Sequence, residues 1–174
     1  MSTPSTSQKP NEEFNATIKF PTGDFSFKAN KINIEKSVDS TGIECWTLAA
    51  FQDIFKDPAY KKGLASIKEV IAIQLHIARD KLTDDQQLFP AAIPPLLNKN
   101  SGNLSKIVDK IPDKDNLIDT VETYLGDTGH IDYEWDADRT RITGNFELWV
   151  GDSNQETFRL FGYFNLLNRG QHLI

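Results

Sequence analysis

The sequence contains few of the residues from which metal sites and nucleophilic active sites are built. Its 174 residues include one cysteine, Cys45, and three histidines. A single cysteine excludes an intramolecular disulfide and a zinc site made of cysteines alone. Closely spaced histidine pairs, a glycine-rich phosphate loop and a G-x-S-x-G motif are all missing. The sequence therefore predicts no metal and no cofactor, and it favours a protein that is not an enzyme.

Long apolar runs and an excess of positive charge are also missing. No stretch approaches the roughly 18 apolar residues that a membrane helix needs. Lys and Arg number 19 against 25 Asp and Glu, which gives a net charge of -6, whereas a nucleic-acid binder normally carries a basic face. We therefore expect neither a membrane nor a nucleic acid as a partner.

The length and the N-terminal composition predict one domain behind a short tail. Residues 1–11 are rich in Ser, Thr, Pro and Lys, and we expect them to be disordered. Residues 12–174 are expected to form a single β-rich domain. The tail lacks the apolar region of a secretory signal. The protein would be cytoplasmic if this N-terminus is native, and secreted or periplasmic if a signal peptide has been removed.

Apolar side chains recur mainly at every second position, which is typical of β-strands with one buried face. This alternation predicts a hairpin over residues 14–29, with a turn at Pro21-Thr22-Gly23-Asp24. It also predicts a long strand over Ile67–Arg79 and a three-stranded meander over residues 131–164. Residues 43–55 fit either a strand or a helix, and we favour a strand that gives way to irregular chain near Gln52.

The block of residues 82–129 differs from the rest because it is rich in proline and contains two helical spacings. The first spacing ends at Pro112, and the second ends at Gly126. The residues that carry the two spacings are Leu104, Ile107, Val108 and Ile111, and then Leu117, Ile118, Val121 and Leu125. The whole chain is accordingly predicted to be mainly β, a β-rich α+β fold. We expect an antiparallel sandwich or partly closed barrel of about seven strands with a short two-helix insertion.

Several large aromatic residues fall on strand faces opposite the cleanest apolar rows. They are either covered by the insertion or line a cavity or an exposed patch. The first hypothesis is therefore a non-enzymatic binding protein that recognises a small hydrophobic ligand or a protein partner, with a homo-oligomer as one form of such a partner. The ligand-binding residues predicted by this hypothesis are Trp46, Trp135, Trp149 and Tyr163.

Acidic residues are concentrated beside two of these aromatic residues. Alternate carboxylates on one strand face repel one another, and a basic partner would relieve that repulsion. The second hypothesis is therefore a small acidic inhibitor or immunity-type protein that binds a basic partner. The predicted partner-binding residues are Asp132, Glu134, Asp136 and Asp138.

A histidine–carboxylate pair is the remaining source of chemistry. The third hypothesis is a hydrolase or isomerase in which His76 or His130 acts as a base with a carboxylate partner. Cys45 would pair with His76 only if folding brought the two together.

Overall fold

The structure of the protein, a computed structural model, describes residues 11–55, 68–108, 120–151 and 156–174. Within these ranges the chain forms β-strands joined by short connections, with no helix. It consequently has no helix there that could cross a membrane. The strands are β1 (Glu13–Phe20), β2 (Gly23–Lys28), β3 (Lys31–Val38), β4 (Glu44–Phe55), β5 (Lys68–Ala78), β6 (Thr83–Leu88), β7 (Ser101–Val108), β8 (Thr120–Trp135), β9 (Arg141–Gly151), β10 (Thr157–Leu167) and β11 (Gln171–Leu173).

All the strands pair antiparallel in one sheet, which curls into a half-barrel. The order across the sheet is β11-β3-β4-β5-β7-β8-β9-β10-β1-β2, and β6 pairs with β8 beyond the point where β7 stops. The curl brings the end of β2 to β4. The backbone N–H of Lys28 donates to the Gln52 side chain at 2.8 Å, and that of Asn30 donates to the Phe51 carbonyl at 2.9 Å. The partly closed barrel predicted from the sequence is confirmed, whereas the sandwich is not.

The concave side of the sheet holds one continuous hydrophobic core. Every second side chain of the long strands points into it and is buried, as the alternation predicts. Phe14 of β1 lies near its centre, with ring centroids 6.0 Å from Phe27, 5.3 Å from Phe146 and 5.7 Å from Phe164. Side chains of the protein itself therefore fill the interior that a hydrophobic ligand would occupy in an open barrel.

Both predicted helices are wrong where the structure describes them, and the count of about seven strands is too low. Residues 101–108 form β7, and residues 120–135 form β8. Residues 109–119, which would hold the end of the first helix and the start of the second, lie outside the described residues. Pairing of β7 with β5 and β8, and of β8 with β9, overrides the helical spacing.

A β-bulge explains why the strand pattern of β8 is hard to see in the sequence. The register to β9 shifts between Gly126 and Thr128. The inward-facing positions change from even numbers, such as Tyr124, to odd numbers, such as Ile131 and Tyr133. One extra residue inverts the alternation. Strict period two is therefore lost within a single continuous strand.

Residues 89–100, the proline-rich part of the block between β6 and β7, form a strap over the outer face of the sheet. The N–H of Ala91 donates to Gly126 of β8 at 2.8 Å, and the N–H of Ser40, in the β3–β4 turn, donates to the Leu97 carbonyl at 2.9 Å. Between these anchor points lie β7, β5 and β4. Outward side chains of the strands between these anchor points, such as Cys45 and His76, are buried. The expected cover over one sheet face is a loop rather than a helix pair.

The other strand predictions are confirmed, with small shifts in their ends. β1 and β2 form the N-terminal hairpin, β5 matches the predicted long strand, and β8, β9 and β10 form the meander. Residues 44–55 are a strand, as favoured, but the strand runs on to Phe55, so the irregular chain predicted near Gln52 is wrong because pairing with β5 continues to that end. Residues 1–10, most of the predicted disordered tail, lie outside the described residues.

Candidate functional site

The convex face of the meander carries an exposed group of aromatic and charged side chains, which we call the outer patch. It borders a shallow cavity of about 550 Å³. Trp149 is 40% exposed and Tyr163 is 45% exposed, although both are large aromatic residues. Their exposure follows from strand alternation, since the even-numbered residues of β9 and β10 face the core. The outer patch consists of Asp132, Glu147, Trp149, Arg159, Phe161 and Tyr163.

Arg159 lies in the outer patch, at the end where Trp149 is, and its side chain is held in place there. Its Nε atom lies 2.9 Å from Oε1 of Glu147, and Nη2 donates to Oε2 of Glu147 at 3.0 Å. The guanidinium also lies 4.7 Å from the centroid of the Phe161 ring. Trp149 is the direct cross-strand neighbour of Arg159. A two-pronged ion pair and a stacked ring fix the guanidinium before any partner arrives.

Tyr163 is fixed by hydrogen bonds at its hydroxyl. Nδ2 of Asn15 donates to the hydroxyl at 2.9 Å, and the hydroxyl donates to Oε2 of Glu13 at 3.1 Å. These bonds tie the ring to β1, the neighbouring strand. The exposed aromatic surface of the outer patch is therefore rigid, which reduces the conformational entropy lost when a partner binds.

One side of the outer patch is acidic. Asp132 of β8 is directly opposite Asp85 of β6, and like charges in that arrangement repel each other. His130 forms an ion pair with Asp85 when it is protonated. Glu134, also exposed, lies further along the same face of β8. Of the residues predicted from the sequence, the structure thus places Asp132 and Tyr163 together at the outer cavity, with Trp149 and Glu134 further along the same face in opposite directions.

The other two predicted acidic residues lie in the turn between β8 and β9, away from the outer patch. Asp136 accepts a hydrogen bond from the N–H of Thr140 at 2.6 Å and a second from its hydroxyl. The Thr140 hydroxyl lowers the pKa of the Asp136 carboxyl below its ordinary value. Asp136 therefore stabilises the turn. Asp138 lies at the open end of the barrel.

The other two predicted ligand-binding residues belong to the core. Trp46 is 6% exposed and Trp135 is 3% exposed, and their ring centroids lie 5.3 Å apart. The sequence reasoning could not separate them from Trp149. The bulge in β8 inverts which positions face the interior, and the side of β4 that faces the core is set by pairing with β3 and β5.

The histidines differ sharply in their surroundings. His76 is buried, and its Nδ1 lies 2.9 Å from Oγ1 of Thr47. Burial lowers the pKa of His76 to about 4, so the imidazole is neutral at pH 7. Cys45 donates from Sγ to the Ile43 carbonyl at 3.5 Å, and burial raises the pKa of its thiol. Neither arrangement activates a base or a nucleophile. His130, with its Asp85 partner, is the one that borders the outer cavity.

Three members of the outer patch were not singled out from the sequence as site residues. These are Glu147, Arg159 and Phe161. Each lies at an odd-numbered position of β9 or β10, so the same alternation that exposes Trp149 and Tyr163 could have identified them. What the sequence did not provide was the cross-strand register that places Arg159 opposite Trp149.

Within the described ranges, no group of three or more His, Cys, Asp or Glu side chains is arranged to hold a metal ion. Comparisons of the chain with protein-family models, with curated proteins and with solved structures found no match. The function must therefore be argued from the geometry of this protein alone.

Proposed function

We propose that the protein is a non-enzymatic binding protein and that it recognises a protein partner through the outer patch. The observation that carries the proposal is the exposure of Trp149 and Tyr163 on one face of the meander, with the fixed guanidinium of Arg159 beside Trp149. Tryptophan, tyrosine and arginine are the residues most enriched among those that dominate the binding energy of protein interfaces. The convex, shallow shape suits the surface of another protein better than it suits a small molecule.

The partner is expected to be basic around its contact surface. Asp85, Asp132 and Glu134 lie on the same side of the outer patch, and His130 is the one described residue that forms an ion pair with any of them. Complementary charge speeds association and excludes wrong partners more than it adds affinity. The proposal thus joins the aromatic and the acidic hypotheses in one surface.

The double variant W149A/Y163A tests the aromatic part of the outer patch. In affinity capture from a cell extract with quantitative mass spectrometry, we expect proteins retained by the wild type to fall at least about tenfold with this variant. A single dominant interface residue contributes about 2 kcal/mol or more, which exceeds a factor of ten in affinity. The matched control V38A/L173A removes two other exposed apolar side chains and should retain the wild-type set. Equal capture by all three proteins would contradict the proposal.

The charge-reversal variant D132K/E134K tests the basic partner. The proteins that depend on Trp149 and Tyr163 should bind this variant more weakly, and added salt should weaken their binding to the wild type. Retention that changes with neither the reversal nor the salt would show that the partner is not recognised by charge, even if the aromatic variant loses it.

A hydrolase or isomerase is the weaker proposal. The His130–Asp85 pair at the cavity is the observation in its favour. The pair is largely exposed, however, with 55% of the His130 side chain and 77% of the Asp85 side chain accessible to solvent. The residues bordering that cavity include no Ser, Thr or Cys that could serve as a nucleophile. Binding therefore accounts for more of this surface than catalysis does.

A further inference from the structure

The open end of the half-barrel holds a second cavity, which we call the mouth. It has a volume of about 570 Å³ and shares no lining residue with the outer cavity. Its walls come from both halves of the curled sheet. Lys36 and Trp46 lie on β3 and β4, Asp80 follows β5, and Asp138 and Arg139 form the turn between β8 and β9. Cavities of this size at the ends of β-barrels commonly bind small molecules.

The mouth contains opposite charges that do not pair with each other. Arg79 and Glu44 form an ion pair. Of the remaining charged side chains, Lys36 and Arg139 are cationic, and Asp80 and Asp138 are anionic. No ion pair within the described residues joins any of these four groups. The Lys36 ammonium instead lies 5.9 Å from the centroid of a Trp46 ring. The mouth is therefore balanced in charge but not neutralised internally.

The turn that presents Asp138 and Arg139 is held in a strained conformation. Arg139 has a φ of 54°, in the left-handed region that side chains other than glycine seldom adopt. Its carbonyl accepts a hydrogen bond from Nδ2 of Asn168 at 2.9 Å, and its N–H donates to the Asp136 carbonyl at 3.0 Å. Strain of this kind persists where the surroundings impose it, and it is concentrated at binding sites.

The base of the mouth has buried hydrogen-bond donors without partners. Nε1 of Trp46, which borders the mouth, and Nε1 of Trp135, stacked on Trp46, have no hydrogen-bond partner within the described residues. The Tyr133 hydroxyl is also buried without a hydrogen-bond partner within the described residues. Burial raises the pKa of Tyr133, so this hydroxyl stays protonated. Unsatisfied buried donors are uncommon in folded proteins, so their occurrence next to the mouth distinguishes this end of the barrel.

We infer that the mouth binds a small zwitterion of the size of a free amino acid or a dipeptide. The ligand's carboxylate would meet Lys36 and Arg139, and its ammonium would meet Asp80 and Asp138. A ligand with one sign of charge would satisfy only half of the mouth. This site goes beyond the proposed function, because the outer patch and the mouth do not overlap.

Tryptophan fluorescence of a W149F variant gives a direct test. The chain has three tryptophans. In this variant all the tryptophan emission therefore comes from Trp46, which lines the mouth, and Trp135, whose ring packs against Trp46. Glycylglycine and L-glutamine should change the emission with saturation. Succinate and 1,4-diaminobutane, which carry one sign of charge only, should leave it unchanged.

Variants of the lining residues locate the binding. On the W149F background, R139Q and D138N should each weaken binding of glycylglycine at least about tenfold. K28A, which removes an exposed cation on β2, should not. Should R139Q fail to fold by circular dichroism, K36Q takes its place. The inference is overturned if neither zwitterion gives saturation up to about 10 mM, if succinate or the diamine binds as well as glycylglycine, or if the lining variants bind like K28A. None of these outcomes affects the outer patch.

Discussion

Replacing Phe14 by alanine is expected to lower the free energy of unfolding by about 3–5 kcal/mol, the usual cost of truncating a fully buried phenylalanine. Phe14 is 1% exposed and contacts the rings of Phe27, Phe146 and Phe164. The substitution removes the apolar burial of one ring and leaves a cavity that three rigid neighbours can fill only in part. Urea unfolding followed by circular dichroism measures the change.

The matched control is F89A, because Phe89 is 53% exposed in the strap. It should change the free energy of unfolding by less than about 1 kcal/mol. If F14A does not fold, F14L keeps most of the volume and should still destabilise the protein more than F89A. Equal effects at Phe14 and Phe89 would show that the core is not centred on the β1 aromatic cluster.

Acidification from pH 7 to pH 4 is expected to destabilise the wild type by about 3 kcal/mol more than it destabilises an H76Q variant. Burial lowers the pKa of His76 from 6.5 to about 4. The unfolded chain therefore binds a proton between those two pH values, while the folded chain does not. This contribution to stability is complete above pH 6.5 and is lost as the pH falls to about 4, at about 1.4 kcal/mol per pH unit.

Glutamine suits this test because it can keep the hydrogen bond to Thr47, which in turn contacts Ser37 at 2.8 Å. Urea unfolding at several pH values would be compared for the wild type and H76Q. A pH dependence that is the same in the wild type and H76Q would mean that the imidazole is not buried under the strap.

The negative net charge follows directly from the composition. The β-rich fold could be predicted from the sequence because it depends on the short-range alternation of apolar and polar residues. Alternation over a few consecutive residues is enough to identify β1, β2, β5 and the meander. Successive side chains of a strand point to opposite faces whatever the partner strand is. The helix prediction failed at β7 and β8 for the opposite reason. Apolar spacings of three and four residues fit a helix, but they also fit a strand that is buried on both faces or is shifted by a bulge.

The candidate site was also predictable from the sequence only in part. Alternation along each strand predicts that Trp149 and Tyr163 point away from the core, and both residues were predicted from the sequence. That Arg159 lies beside Trp149 follows from the register of β9 against β10, a contact between residues about ten apart in the chain. The exclusion of Trp46 and Trp135 from the surface depends on the curl and the bulge.

By itself the sequence determined an acidic, cysteine-poor chain built mainly of antiparallel strands, with aromatic and acidic residues in its C-terminal meander. Only the tertiary structure decided that the sheet is a half-barrel with a filled interior and that charged side chains from both halves meet at the mouth. It also decided that residues 101–108 and 120–129 belong to strands rather than helices, with a strap before them. The reason is that strand pairing joins residues far apart in the chain. The free energy of those contacts outweighs local preference wherever the two disagree.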